Sequence, residues 1–501
     1  MSLPRALALN LPEDGGTAGG TSQFVETQEV LPATFDQRQV RFLLPRAGIL
    51  AADSFFQFQV EAANNANYFF PISVGAMGCL QTATMTIGGV QVAQTRSLNH
   101  RYGVTNTFRS QRERSLQQSI RVGVTDSFAV DSLVNDESTT ALMQKNTGRY
   151  GVDVNLPFIE GSATNDESNL SVQLHYRACV NASGTDPTPE WRVYLADLFP
   201  GMSYFHLPLQ LLDQVAITIN FTDDDRIGRR LCKDTNANPN TYEGGAILRP
   251  KMHLSLVHYD DPVGVESTMD KMKRQFDEGL VLVFTDDQFV RSFSADSDDP
   301  QGTVQTNLQL GLDGQNVRSL LIATPKQPDV TAGSITDKTN NLMGDYGSEP
   351  GRLQNSLQLN INAANVFPKP LETASQLYGE FSQIYPMPAS IPSFQYSFVG
   401  QVNEADGTDI PLQKKLTDRS FMTHAQRDEI TANKGYMGVN LRSTYENVLG
   451  AGTVVNQGNP VVLTLSQQGN DDGIAAKDIL VWAICERQLA IKGGKVAVSG
   501  S

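Results

Sequence analysis

The stretch HLPLQLLDQVAITINF, His206 to Phe221, decides how the whole chain is read, because its apolar rhythm changes halfway. Leu207, Leu209, Leu211 and Leu212 are bunched, whereas Val215, Ile217, Ile219 and Phe221 alternate with Ala216, Thr218 and Asn220. A bunched run fits a short helical turn, and strict alternation puts one set of side chains on one face of a β-strand. The reading is a compact turn feeding a half-buried strand. Pro208 suits an early helical position, where its missing N–H costs nothing, and Leu209, Leu211 and Leu212 are placed to plug the end of a sandwich.

The same alternation recurs outward in both directions. Phe56, Phe58 and Val60 alternate with Gln57 and Gln59, and Met252, Leu254 and Leu256 with His253 and Ser255. Ala83, Met85 and Ile87 alternate with Thr82, Thr84 and Thr86 before a hairpin turn at Gly88 and Gly89. Past the middle, Leu357, Leu359 and Ile361 alternate with Gln358 and Asn360. Helical periodicity is confined to one segment, where Val265, Met269, Met272 and Phe276 share a face and Gly279 stands as a C-terminal cap. The C-terminal ILVWAICERQLAIKGGKVAVSGS, from Ile479, reads as a strand and a hairpin through Gly493 and Gly494, expected to lock into the second domain. Polar segments at 123–168, 222–245 and 326–352 read as loop insertions.

Many strands and few helices imply an all-β chain, and 501 residues exceed one ordinary core, given a prior of roughly 100 to 200 residues per domain. The acidic SADSDDPQG at 294–302 is the expected break. The division is an arm over 1–24, a first sandwich over 25–293 and a second over 294–501. The arm contains EDGGTAGGTS and too little apolar surface to offset ordering entropy.

Lys and Arg number 39 against 54 Asp and Glu, a net charge of −15, which opposes direct binding to nucleic acid. Cys79, Cys179, Cys232 and Cys485 form no CxxC pair, consistent with a reducing folding environment. The start MSLPRALALNLPEDGGTAGG lacks a secretory pattern, and no run of about 18 apolar residues follows, so a soluble chain outside the secretory route is expected. The acceptor patterns at Asn169, Asn181 and Asn220 then carry little weight.

The search for chemistry is largely negative. No His-x-His pair exists, and His253 and His258 are five apart, on opposite sides of a strand. The signatures G-x-S-x-G, H-E-x-x-H and G-x-x-x-x-G-K-[ST] are absent. Asp234, Asn236 and Asn238 have calcium-loop spacing, but Pro239 and Gly245 occupy the places of the turn glycine and the bidentate Glu. They and the run Asp223, Asp224 and Asp225 read as polar loops. No catalytic residue, cofactor or metal site is expected, and the chain is read as a non-enzyme. Arg96, Arg101, Arg109, Arg112, Arg114 and Arg121 run against the acidic trend. They form either a solvated face or a docking surface for an acidic neighbour or lipid head groups.

FPGMSYFHLPLQLLDQVAITINF resembles the turn and following strand of the first jelly roll in double jelly-roll major capsid proteins of double-stranded DNA viruses. The likeness continues in order through MHLSLVHYDDP, LVLVF, LQLGLDGQNVRSLLIATP and RLQNSLQLNINAANVF. The last strands, MGVNLR, GAGTVV, PVVLTL and ERQLAIKGGKVAVSG, are similar to those of the polinton-like and virophage branch. The resemblance implies two consecutive eight-stranded jelly rolls and homotrimeric, pseudo-hexagonal capsomers tiling an icosahedral shell in the virion. It also implies minor capsid or penton proteins as partners and an N-terminal arm at the inner base, and it leaves open an inner membrane beneath the shell. The alternative is a carbohydrate-binding sandwich, a spike or lectin, which needs exposed aromatics such as Trp191 or Trp482.

Overall fold

The computed structural model describes residues 22–62, 68–71, 74–106, 119–122, 176–180, 190–202, 206–222, 230–233, 241–261, 263, 266–295, 297, 302–324, 356–372, 376, 379–380, 383–384, 436–442, 451–468 and 478–500. Among them every strand pairing is antiparallel and the strands form four sheets, the double jelly-roll class expected from the sequence.

The first pair of sheets encloses the larger core. One sheet runs Thr34–Phe35, Gln39–Leu43, Val215–Phe221, Leu80–Ile87 and Val90–Arg96. The other runs Glu190–Tyr194, Phe55–Ala62, Thr241–Asp260, Arg230–Lys233, Tyr68–Pro71 and Tyr176–Val180, with Ser22–Val30 and Ile49–Leu50 also on the long Thr241–Asp260 strand. The alternating residues meet between them: Phe56 lies 5.8 Å from Phe42 and 6.4 Å from Phe221, ring centre to ring centre. Ser22 already pairs with Asp260 and Phe24 stacks on His258, so Ser22–Phe24 belong to this sheet and not to a free arm. Arg230–Lys233 and Thr241–Gly245 are likewise paired, which corrects the reading of 222–245 as a loop throughout. Polarity misled there, because a strand over Thr241–Gly245 carries its own backbone hydrogen bonds whatever its side chains are.

The second pair joins a six-stranded sheet (Val281–Phe293, Asp478–Lys492, Asn316–Ala323, Tyr436–Asn440, Thr453–Val454 and Lys495–Gly500) to a four-stranded one (Thr303–Leu310, Val461–Gln468, Ser356–Ile361 and Ala364–Asn365). Leu308, Leu357 and Leu463 pack against Leu320, Ile322, Val481 and Ala483 between them.

The opening stretch behaves nearly as its rhythm requires. Leu209–Leu211 forms a single 3-10 turn, and Pro208 sits just before it, accepting from the Leu211 N–H at 3.0 Å. Pro208 is therefore the cap and not a residue of the turn. Leu209 and Leu212 are buried and Leu211 packs against the same core, so the connector closes one end of the sandwich. It also crosses between sheets: Leu207 bridges to Leu50 on one side, and Val215 opens the central strand of the other. Ala216 is buried as well, so the strand is less one-sided than alternation alone suggests.

The amphipathic helix spans Thr268–Asp277, with Met272 and Phe276 in the first core. Its first N–H, that of Thr268, is capped by the Asp261 carboxylate at 2.8 Å. Gly279, at φ +107°, ends it as expected.

Candidate functional site at the junction of the two sandwiches

Two runs in the second half do not alternate. NVRSLLIA (Asn316–Ala323) is buried at every position, and so is DILVWAICE at the start of the Asp478–Lys492 strand. A strand buried on both faces has apolar surface on either side of it. Here Leu320, Ile322, Val481 and Ala483 face the second core, while Leu321, Ala323, Leu480, Trp482 and Ile484 face away. That second face is covered by Ile384 and, from the first half of the chain, by the helix after the first sandwich's Val90–Arg96 strand. Val104, on the Leu98–Asn106 helix, joins it, and Phe289 packs against it.

Polar groups fix the register of this contact. The Trp482 Nε1–H donates to the Arg96 carbonyl at 2.9 Å, and the Arg101 Nε–H donates to Asp287 at 2.8 Å with both side chains at most 5 % exposed. Beside that pair the Gln94 N–H donates to Asp286 at 3.2 Å. Burial, then the neighbouring Asp287, pushes the Asp286 carboxyl up to about 7, against the opposing pull of the Gln94 N–H and Arg487. Its cross-strand neighbour Cys485 is a buried thiol pushed up to about 12, chiefly by burial.

A two-stranded ribbon carries the junction along its length. Val281–Phe293 pairs residue by residue with Asp478–Lys492, from Val281 opposite Ala490 to Phe293 opposite Asp478. Leu282, Phe284, Leu489 and Ile491 lie in the first core, whereas Ile479, Val481 and Cys485 lie in the second. The C-terminal hairpin was expected to lock into the second sandwich. Instead its outer half closes the first, with Val496 and Val498 packed against that core. Fifteen extended residues reach about 50 Å, longer than one sandwich needs. The tip docks on the opening connector, where the Asp213 N–H donates to the Gly494 carbonyl at 2.9 Å; the other glycine hairpin meets the same connector, its Gly88 N–H donating to the Gln214 carbonyl at 2.9 Å. Both glycine pairs have positive φ at each residue, as two-residue hairpin turns require.

Of the six arginines singled out in the sequence, Arg101 and Arg121 are engaged inside the molecule. Arg121 pairs with Asp197 at 2.5 Å and lies 3.7 Å over the Tyr194 ring. The Arg96 Nε–H donates to Gln94, and Arg109, Arg112 and Arg114 lie outside the described residues, as do Asp223–Asp225, Asp234, Asn236 and Asn238. His253 stacks on Phe55 and His258 on Phe24, on opposite faces of their strand. Among the described residues no three His, Cys, Asp or Glu side chains are grouped to hold a metal ion, and no helix is long and apolar enough to cross a membrane. Both tryptophans are buried, Trp191 at 6 % and Trp482 at 0 % exposure, so neither offers the open ring a sugar would stack on. The arrangement supplies rigidity. Two sandwiches are held at a fixed relation by a shared ribbon, a double-faced sheet and a buried ion pair.

A scan against protein-family models found no match, and neither did a search of curated protein sequences. Solved structures do match. The chain superposes on the Faustovirus major capsid protein with a TM-score of 0.53 and 10% identity, over 96% of this chain and 93% of that one. The quasi-atomic model of the PBCV-1 virus capsid gives 0.50 and 11% identity, over 97% and 98%. PBCV-1 VP54, fitted into a reconstruction of the virophage Sputnik, gives the same values. At such identities the likeness is one of fold: this chain has the double jelly-roll architecture of these proteins.

Proposed function

We propose that this chain is a major capsid protein, a structural subunit of an icosahedral virion shell around a double-stranded DNA genome. The observation that carries the reading is a pair of jelly rolls in one chain, matched over nearly its full length by capsid proteins. Two sandwiches in a fixed relation make one chain a two-lobed block. Three such blocks around a threefold axis present six lobes, the outline that tiles a hexagonal lattice. The proposed units are an N-terminal arm before the first sandwich, a first sandwich to 293 and a second from 294, with the Val281–Phe293 strand at that boundary shared between the two. The ribbon that unites them keeps the lobes from rotating within the shell. Partners are neighbouring copies, then minor capsid or penton proteins. A net charge of −15 favours shell contacts over direct contact with the genome.

Electron microscopy of the purified chain tests the proposal. Capsomers with threefold symmetry and a six-lobed outline are expected. Isolated two-lobed particles at every concentration would overturn it, and capture on a glycan array would replace it with the lectin reading.

A further inference from the structure

The outer faces of the two sandwiches differ in chemistry. On the first, the eight-stranded sheet carries charge: Lys251 pairs with Glu29 at 3.0 Å, and Glu190 and Arg192 stand on the edge strand Glu190–Tyr194. On the second, no residue in any strand of the four-stranded sheet is charged. Its outward side chains are amides and hydroxyls, including Gln305, Asn307 and Gln309 on the Thr303–Leu310 strand, Thr464 and Ser466 on the next, and Gln358 on the third. The three on the first strand are exposed. An ordinary protein surface carries about 25–35% charged residues, and the parts of a surface that become covered are depleted of them.

The edge is bare in the same way. Thr303–Leu310 is an edge strand, and among the described residues nothing pairs with its free side. Edges left to solvent are usually guarded by lysine, proline, a bulge or an inward charge. This one has neither charge nor proline, and its register runs without a shift from Thr303 opposite Gln468 to Leu310 opposite Val461. A free edge offers backbone hydrogen bonds, which a polypeptide can match and a sugar cannot reproduce in series.

We infer that this edge and outer face are the surface on which a second copy of the same chain docks. The inference rests on the capsid reading, since it names the partner as a copy. Charge selects that partner. Two chains at −15 repel wherever acidic surfaces meet, and an uncharged patch lets them approach without that cost. A basic partner would instead be drawn to the acidic surfaces elsewhere.

The test is a near-isosteric charge insertion, Gln305→Glu, Asn307→Asp and Gln309→Glu together, sized by sedimentation beside the wild type and a serine triple at the same positions. The Asp at 307 keeps an acceptor for the Thr464 hydroxyl, which donates to Asn307 at 2.8 Å, so the fold should survive, with an unchanged circular dichroism spectrum. Self-association is expected to weaken about tenfold or more in the acidic triple, with partial recovery in high salt, and to persist in the serine triple. Salt recovery separates repulsion from misfolding; if the triple fails to fold, Asn307→Asp alone carries the test with the same expectation. Unchanged association of the folded acidic variant would overturn the inference and leave the capsid reading standing. A wild type that never self-associates would sink the capsid reading itself.

Discussion

Asp286 shows what a single residue at the junction does. Its carboxyl is pushed up to about 7, first by burial and then by Asp287. The folded-state value lies above the ordinary one, so the folded protein holds the proton more tightly than the unfolded chain. There is no penalty below about pH 4, a growing one as pH rises towards 7, and a full one above it. Asp286→Asn should therefore raise Tm at pH 8, with the gain vanishing near pH 4; a gain independent of pH would contradict this. Glu486 makes a second case, fully buried and held by the Arg318 Nε–H at 2.6 Å and the Asn316 amide at 3.0 Å. Arg318→Met strips that carboxylate of its guanidinium and should cost about 3–5 kcal/mol in urea denaturation, while adding Glu486→Leu should restore much of it. Neither residue was legible in the sequence. An acid within a strand looks the same whether it meets solvent or a neighbouring sandwich.

Whole elements were easier to read, because their periodicity is local. The strands around Met85, Leu254 and Leu359 alternate as the chain does, whereas Gln57 and Gln59 beside Phe56 are buried despite their polarity; the turns at Gly88–Gly89 and Gly493–Gly494 fall where two glycines permit positive φ. What alternation could not show was where a strand is covered twice. The clue lay in the unbroken runs SLLIA and ILVWAIC, which mark the double-faced sheet at the junction. The connector supplies two further predictions. Leu212, at 0 % exposure, closes the end of the first core, so Leu212→Asp should destabilise by several kcal/mol through an unpaired buried charge; a soluble variant with an unchanged melting curve would contradict the placement. At Gly201 an added Cβ would stand 1.7 Å from the Thr285 carbonyl oxygen of the ribbon. Gly201→Ala must therefore push the Pro200–Met202 turn off Thr285, and a clear fall in Tm is expected where an exposed glycine without positive φ, such as Gly311, would tolerate the change.

At the scale of the whole molecule, the ribbon makes the two sandwiches depend on one another. Deleting the last 20 residues removes Trp482 from the junction and Leu489 and Ile491 from the first core, so neither sandwich should fold, and loss of soluble protein is the expected result. Deleting residues 1–20 stops short of Ser22, the first paired residue among those described, and should leave the fold intact while weakening shell assembly. The order of strands along the chain carried the architecture, since each motif alone is loose. The dependence between domains was hidden because it joins segments far apart along the chain, Val281–Phe293 to Asp478–Lys492 and Trp482 to Arg96. The central claim, a two-lobed subunit that assembles by threes, is tested most directly by light scattering of the purified chain in about 0.5 M salt, where charge contacts are screened within a few Å. A mass three times that of the 54.7 kDa chain is predicted. A monomer at that salt, and at every protein concentration, would contradict it.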